Sequence, residues 1–199
     1  MQIKNLTEIF FATGNKNKIT EMQSLLPELK IKSPLDAKIN FAPNENGKTF
    51  FENAIIKAKS VYEIVKMPVI ADDSGLCVVS LNDAPGIYSS RYAGKHADTK
   101  TQDKKNNEKL LSELSNKTNR NAYFVCCLIL YLKHNRFVAI QEICEGEIIK
   151  EPRGENGFGY DPLFFISSLD KTMAELSTQE KNKISHRGKA LTSLKKLFT

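Results

Sequence analysis

Two adjacent carboxylates behind an apolar run are the residues of this chain best placed to do chemistry. Val69-Ile70-Ala71 reads as a buried strand, and Asp72-Asp73-Ser74-Gly75 follows it directly. Carboxylates are rarely buried without a cation or a metal beside them. A strand that ends in two of them therefore delivers them to something positive. Neighbouring side chains on a strand point to opposite faces, so Asp72 and Asp73 take different tasks. One faces a reacting centre, and the other supports it or a metal. The same residues also fit a strand that stops in an ordinary Asp-Ser-Gly turn.

Four further stretches carry polar or flexible residues of the right kind. Thr13-Gly14-Asn15 separates a short strand over 8–12 from a helix over about 16–26, with Lys16 and Lys18 at its start. A glycine turn opening a helix points backbone N–H groups at a phosphate, although a plain strand-to-helix turn reads the same way and no Walker A pattern is present. Residues 83–94 gather Tyr, Ser and Gly around Arg91, which suits a binding loop as well as an ordinary one. In 151–162, glycines at 154, 157 and 159 allow close backbone approach, Phe158 and Tyr160 offer flat apolar rings, and Asp161 offers an acceptor. Lys181 and Ser185-His186-Arg187-Gly188 sit early in a final helix. A lone histidine is usually structural, but His186 beside Arg187 and a glycine also fits a binding site.

The elements that must position these residues follow from pattern. Thr49 and Glu52 have capping-box spacing, opening a helix whose apolar face is Phe51, Ile55, Ala58, Tyr62 and Val65. Asn53 and Lys57, four apart, share another face of it, and spacing alone makes that face an exposed one. Residues 29–31 form a short strand, and 33–47, with Glu45, form a loop. A polar helix spans 99–115, with Leu110, Leu111 and Leu114 as its strong apolar residues. Segments 121–132 and 137–149 read as a hairpin turning at 134–136, with Gly146 as a bulge, and 163–166 as a strand. Ser177 and Glu180 repeat the capping-box spacing, and Leu191, Leu194 and Phe198 make the last apolar stripe.

Composition bounds the class. The chain has 199 residues, 41% hydrophobic and 26% charged, the size and balance of one globular domain or one domain with two lobes. The net charge of +6 fits an anionic ligand. Cys77, Cys126, Cys127 and Cys144 include no C-x-x-C pair, which argues against zinc. No signal-peptide pattern opens the sequence. The expectation is a cytoplasmic protein with reduced, mostly buried thiols. No apolar run reaches the roughly 18 residues of a membrane span.

Taken together and in order, these stretches resemble the inosine triphosphate pyrophosphatases, enzymes that hydrolyse non-standard purine nucleoside triphosphates. The matching segments are Thr13-Gly14-Asn15-Lys16-Asn17-Lys18; Phe51-Glu52-Asn53-Ala54 with Lys57-Ala58; Ala71-Asp72-Asp73-Ser74-Gly75-Leu76; Ala84-Pro85-Gly86-Ile87-Tyr88-Ser89-Ser90-Arg91-Tyr92; Gly157-Phe158-Gly159-Tyr160-Asp161-Pro162; and Lys181 through Ser185-His186-Arg187-Gly188. They span nearly the whole chain. The loop at 33–47 and the segment 95–120 are its variable parts.

The resemblance implies a single α/β domain over 1–199: an elongated central mixed sheet flanked by helices, in two lobes, with the active site in the cleft between them. It implies a homodimer and a Mg²⁺ requirement. It assigns Thr13, Gly14, Asn15, Lys16, Asn17 and Lys18 to the triphosphate, joined by Lys57 and Arg91. Asp73 becomes general base and metal ligand, with Asp72 orienting it and Glu45 as a second metal carboxylate. Ser74 and Asn53 fall to the substrate side. Phe158, Gly159, Tyr160 and Asp161 pack on and read the base, and Lys181, His186 and Arg187 complete its pocket.

The residue types agree with that chemistry. Lysines and an arginine suit a triphosphate, and Mg²⁺ takes oxygen ligands from one or two carboxylates plus phosphates. His186 and Arg187 are donors and suit the 6-oxo acceptor of inosine and xanthine, where adenine carries a donor. The implied reaction is attack of water on the α-phosphorus, releasing pyrophosphate and a monophosphate. Two other readings compete: a nucleic-acid-binding module, from the charge and the aromatic loops, and a phosphatase or pyrophosphatase for another nucleotide on a related fold. The basic residues lie in separate stretches beside glycines and acids rather than in one stripe. That favours a small anionic ligand and no nucleic acid.

Overall fold

Asp72 and Asp73 lie in the middle of a strand, because β3 runs unbroken from Val69 to Val78 and is buried along almost its whole length. A strand covered on both faces reads as near-continuous apolar residues, and here two carboxylates interrupt that run. The expectation that the strand ends at the carboxylates is therefore corrected. Asp-Ser-Gly favours turns only where nothing else holds the chain, and here neighbours on both sides of the sheet hold it. The computed structural model describes residues 3, 6–39, 43–96, 98–134 and 136–198. Residues 40–42 of the expected loop and Asn135 of the expected turn lie outside them.

The elements in order are β1 (Glu8–Phe11), α1 (Lys16–Leu25), β2 (Lys30–Lys32), α2 (Phe50–Val65), β3 (Val69–Val78), α3 (Thr99–Glu113), β4 (Asn121–Lys133), β5 (Arg136–Ile148), β6 (Phe164–Ile166), β7 (Lys171–Thr172), α4 (Thr178–Ile184) and α5 (His186–Lys195). The sheet is mixed, in the order β2-β1-β3-β4-β5-β6-β7. β1 pairs parallel with β2 and β3, which requires crossovers, and α1 and α2 supply them. β6 pairs antiparallel with β5 and β7. The fold is α/β, as expected. The two-residue strand β7 is too short to leave a sequence signal.

The chain divides into two compact units: Met1–Asp73, Cys126–Glu142 and His186–Thr199 form the first, and Ser74–Val125 with Ile143–Ser185 the second. In the first, strand alternation builds two cores. Ile9, Phe11, Ile70, Cys126, Leu128 and Leu130 face Met22 and Leu26 at the end of α1 and Leu191 and Leu194 of α5. Phe10, Ala12, Val69, Ala71, Cys127, Ile129 and Tyr131 face Ala54, Ala58 and Val61 of α2. The α2 stripe is thus turned from the expected one. Phe51 is exposed, and Asn53 and Lys57 are buried. Thr49 caps α2 as expected, accepting from Glu52 N, but Glu52 returns its carboxylate to Lys48 N rather than to Thr49.

The second unit has one core, built from Leu76 and Val78 of β3, Leu110 and Leu114, Phe124, Ile148, Tyr160, Phe164, Met173 and Leu176. Gly146 sits inside an unbroken β5, where a Cβ would meet the Phe165 carbonyl at 2.5 Å and the Phe164 ring at 2.6 Å. Close approach of β6 explains the glycine there. The single C-terminal helix is corrected to two. Ser177 and Glu180 form the capping box of α4 as expected, but Ser185 is extended (φ −67°, ψ 154°), and α5 begins at His186.

Candidate active site

Alternation along β3 sends Asp72 and Asp73 to opposite faces, each to its own set of cations. Asp72 is 1% exposed. Its Oδ1 accepts from Lys18 Nζ at 2.7 Å and its Oδ2 from Arg187 Nε at 3.0 Å. Arg187 also donates Nη1 to Glu21 Oε2 at 2.7 Å. Burial opposes charge on Asp72, but Lys18, Arg187 and then Lys57 outweigh it, and its pKa falls well below the usual carboxylate range. The same partners hold Arg187 charged against its burial. Cys126 Sγ lies 4.0 Å from Asp72 Oδ2, and burial pushes that thiol up. All four cysteines are free and buried.

On the other face, Lys57 Nζ donates to Asp73 Oδ1 at 2.6 Å and lies 3.6 Å from Glu45 Oε2. Asn53 Nδ2 reaches Asp73 Oδ2 at 3.4 Å, while its Oδ1 accepts from Gly47 N at 2.9 Å. Asn53 thereby ties the end of the Glu45 loop to the carboxylate. Lys57 stays charged: burial works against it, but Asp73, Asp72 and Glu45 surround it and raise its pKa. Asp73 goes the other way from Asp72. Burial raises its pKa, Lys57 and Lys18 only partly offset this, and Glu45 adds to the rise. One ammonium shared among carboxylates satisfies none of them fully. Among the described residues, no three His, Cys, Asp or Glu side chains group as a metal centre. Asp73 and Glu45 converge on one cation, and their hard oxygens are the donor type that Mg²⁺ takes when water and phosphate complete its shell.

At the start of α1, Asn15 is the N-cap, its Oδ1 accepting from Asn17 N at 2.9 Å and Lys18 N at 3.2 Å. Thr13 Oγ1 accepts from Asn15 N. Lys16 and Asn17 are exposed there, and a Cβ on Gly14 would meet nothing within 4 Å.

In the second unit, the 157–161 loop closes on itself. Asp161 Oδ2 accepts from Phe158 N at 2.9 Å and from Lys181 Nζ at 2.6 Å. The Lys181 ammonium lies 4.7 Å from the centre of the Phe158 ring. Gly157 has φ +76° and Gly159 φ +65°, conformations glycine adopts at little cost. Tyr160 is 4% exposed, and its hydroxyl donates to the Ser89 carbonyl at 2.9 Å. Its ring belongs to the core, so of the two expected rings only that of Phe158 is partly open. Ser74 is half-buried in β3 just past Asp73, and Arg91 ends a 3₁₀ turn over Gly86–Arg91 with its guanidinium 5.3 Å from the Tyr88 ring centre. His186 is buried at the start of α5 in the first unit.

Buried Lys57 on Asp73, half-buried Lys18 on Asp72, and a capped helix start with an open-sided glycine are features of a polyanion site. The description "Ham1 family" matches residues 9–197 of this sequence. The chain belongs to the Ham1 family. A "dITP/XTP pyrophosphatase" of Treponema denticola is 52% identical over 194 residues, covering 96% of this chain and 98% of that one. A Ham1 protein structure from Coxiella burnetii superposes with a TM-score of 0.87 at 43% identity, over 96% of this chain and 98% of that one. The Staphylococcus aureus Ham1 protein gives 0.84 at 42%, over 95% and 96%.

Within this Ham1 chain, three polar partners carried no chemical reading in the sequence. Glu21 is three residues past Lys18, which puts both on one face of α1, a spacing that could have marked it. Asp103 and Asn107 come from the polar helix α3, where they hold Gly159. Nothing in a polar helix distinguishes an inward carboxylate from a solvated one.

Proposed function

We propose that this chain hydrolyses ITP, dITP and XTP to the nucleoside monophosphate and pyrophosphate, removing deaminated purines from the nucleotide pool. The observation that carries this is Asp73. It is a buried carboxylate whose pKa is raised, hydrogen-bonded to Lys57 with Glu45 beside them, in a chain half identical to a named dITP/XTP pyrophosphatase. A base with a raised pKa accepts a proton more readily. Asp73 takes the proton of the water that attacks the α-phosphorus, and the bond to the pyrophosphate leaving group breaks.

Lys16, Lys18, Lys57 and Arg91 offset the charge of the triphosphate, with Thr13 to Asn17 at the open start of α1. Asp72, fixed by Lys18 and Arg187, orients β3 and with it Asp73. Asn53 and Ser74 flank the carboxylates. Phe158 gives the base a flat apolar face, and Gly159, Tyr160, Asp161 and Lys181 support that loop. His186 and Arg187 are donors for a 6-oxo group, and a site built on hydrogen bonds can reject a mismatched group by as much as roughly 10⁴-fold. Asp73 and Glu45 would hold Mg²⁺. That ion, when bound, neutralises charge on the phosphates. A homodimer and a cytoplasmic setting belong to the same reading through the resemblance. No helix among the described residues is long and apolar enough to cross a membrane.

Pyrophosphate release from ITP, XTP, GTP and ATP, with and without Mg²⁺, tests it. Strong Mg²⁺-dependent release from ITP and XTP with little from GTP and ATP is expected. Orthophosphate in place of pyrophosphate overturns the site of attack. Absence of any turnover, with oligonucleotide binding of steep salt dependence, overturns the enzyme.

A further inference from the structure

The polar helix α3 points Asp103, Asn106 and Asn107 inward at two loops. Asp103 Oδ2 accepts from Gly159 N at 2.8 Å, and Asn107 Nδ2 donates to Gly159 O at 3.0 Å. The two residues are four apart and so share one face of the helix. They hold both polar groups of a single glycine. Gly159 has φ +65°, and the space on its Cβ side is open, with nothing within 4 Å. The two hydrogen bonds tie both its polar groups to α3.

Phe158 is therefore fixed on both sides. Its own N–H donates to Asp161 Oδ2, and the peptide that follows it is held by Asp103. Asn107 shows that this grip is not incidental. Its Oδ1 is buried with no hydrogen-bond partner, a cost to stability that an apolar residue would avoid. An amide at this position is explained by its donor to Gly159. One residue earlier, Asn106 grips the other loop, donating to Ser89 O at 3.1 Å and accepting from Ala93 N at 2.9 Å. Ser89 O also receives the Tyr160 hydroxyl, so the segment bearing Arg91 and the loop bearing Phe158 share one anchor.

We propose that Asp103 and Asn107 are positioning residues for the purine base, acting through Gly159 to set the placement of the Phe158 ring. This rests on the pyrophosphatase reading above and deepens it. Phosphate binding and proton transfer do not involve them. A loosened loop weakens contact with the base and the discrimination between bases, and leaves the chemical step in place.

The test is steady-state pyrophosphate release from ITP and GTP by the wild type and by Asp103→Ala, Asp103→Asn and Asn107→Ala, with inorganic triphosphate as a competitive inhibitor. Asp103→Ala should raise KM for ITP roughly 10- to 100-fold, the range for losing a hydrogen bond to a charged group. It should move kcat by less than about threefold and shrink the preference for ITP over GTP. Inhibition by inorganic triphosphate should not change. Asp103→Asn, which keeps an acceptor, should recover most of the loss, and Asn107→Ala should repeat the pattern more weakly. If Asp103→Ala does not fold, Asn107→Ala carries the same comparison. A folded variant with wild-type KM and preference overturns the inference, as does a loss that falls equally on inorganic triphosphate. A wild type that releases no pyrophosphate overturns the activity and this inference with it. A wild type that does, beside variants that match it, overturns this inference alone.

Discussion

Asp72 and Asp73 are consecutive residues of one strand, and their carboxyl groups shift in opposite directions. Asp72 meets Lys18 and Arg187 on the face covered by α1 and α5 and is held ionised. Asp73 meets Lys57 on the α2 face, shares that cation with Glu45, and is raised. The period of two in a strand separates the residues into a fixed anion and a titratable one. A fixed anion holds its surroundings in place. A titratable one can take a proton.

Replacing Asp73 with Asn removes the proton acceptor and keeps the shape. General bases of this kind contribute about 10²–10⁴-fold, and pyrophosphate release from ITP should fall by that order. Thermal unfolding should show the variant folded, because Asn still accepts from Lys57. Retention of more than about a tenth of the activity would remove Asp73 from the role.

In the metal-free protein the Asp73 carboxyl, followed by NMR, should titrate above 3.8, the ordinary value for Asp, because burial raises it. Below the shifted pKa Asp73 carries its proton. Lys57 pulls that pKa down, so Lys57→Met should move the titration to higher pH. A titration that stays in place would show that Lys57 does not act on Asp73.

Asp72→Asn leaves Arg187 and Lys18 beside a neutral group in a buried setting. Breaking a buried ion pair from one side typically costs about 3–5 kcal/mol, and urea unfolding near neutral pH should show a loss of that order. Asp72 has a depressed pKa in the folded state, so its contribution is present above 3.8, its unfolded value. It is lost as pH falls through the folded value. The stability gap between wild type and Asp72→Asn should therefore narrow steadily below pH ~4. A gap independent of pH would place the effect in packing rather than charge.

The sequence made the strand-helix alternation legible, since β1 and β4 are apolar runs and α1 and α2 carry a helical period. It did not show where β3 stops. Asp-Ser-Gly is a turn by local preference, and only the covering of both faces overrides it. The inward turn of Asn53 and Lys57 was hidden for a similar reason. An apolar stripe is read from apolar residues, and a buried lysine counts as polar until its carboxylate is found on the strand its helix covers. Tyr160 and Phe158 look alike in sequence, two aromatic residues in one glycine-rich loop. Only the hydroxyl contact with Ser89 separates the ring that packs inside from the ring that does not. The division of the last helix at Ser185 had no breaker residue to announce it.

Gly157 gives the sharpest check on the loop. Its φ is +76°, and a Cβ would come within 2.1 Å of Asp161 Oδ2. That oxygen already accepts from Phe158 N and Lys181 Nζ, so it cannot move without breaking both. Gly157→Ala combines a left-handed backbone, roughly 1–2 kcal/mol for a residue with a Cβ, with that displacement. The expected result is a raised KM for ITP and a weakened preference for ITP over GTP. Gly14→Ala, with open space around its Cβ and no positive φ, should not disturb the loop at all. Any effect of Gly14→Ala should fall on phosphate binding, read as weaker inhibition by inorganic triphosphate. If Gly157→Ala leaves KM and preference unchanged, Asp161 does not hold the loop in the form that binds the base.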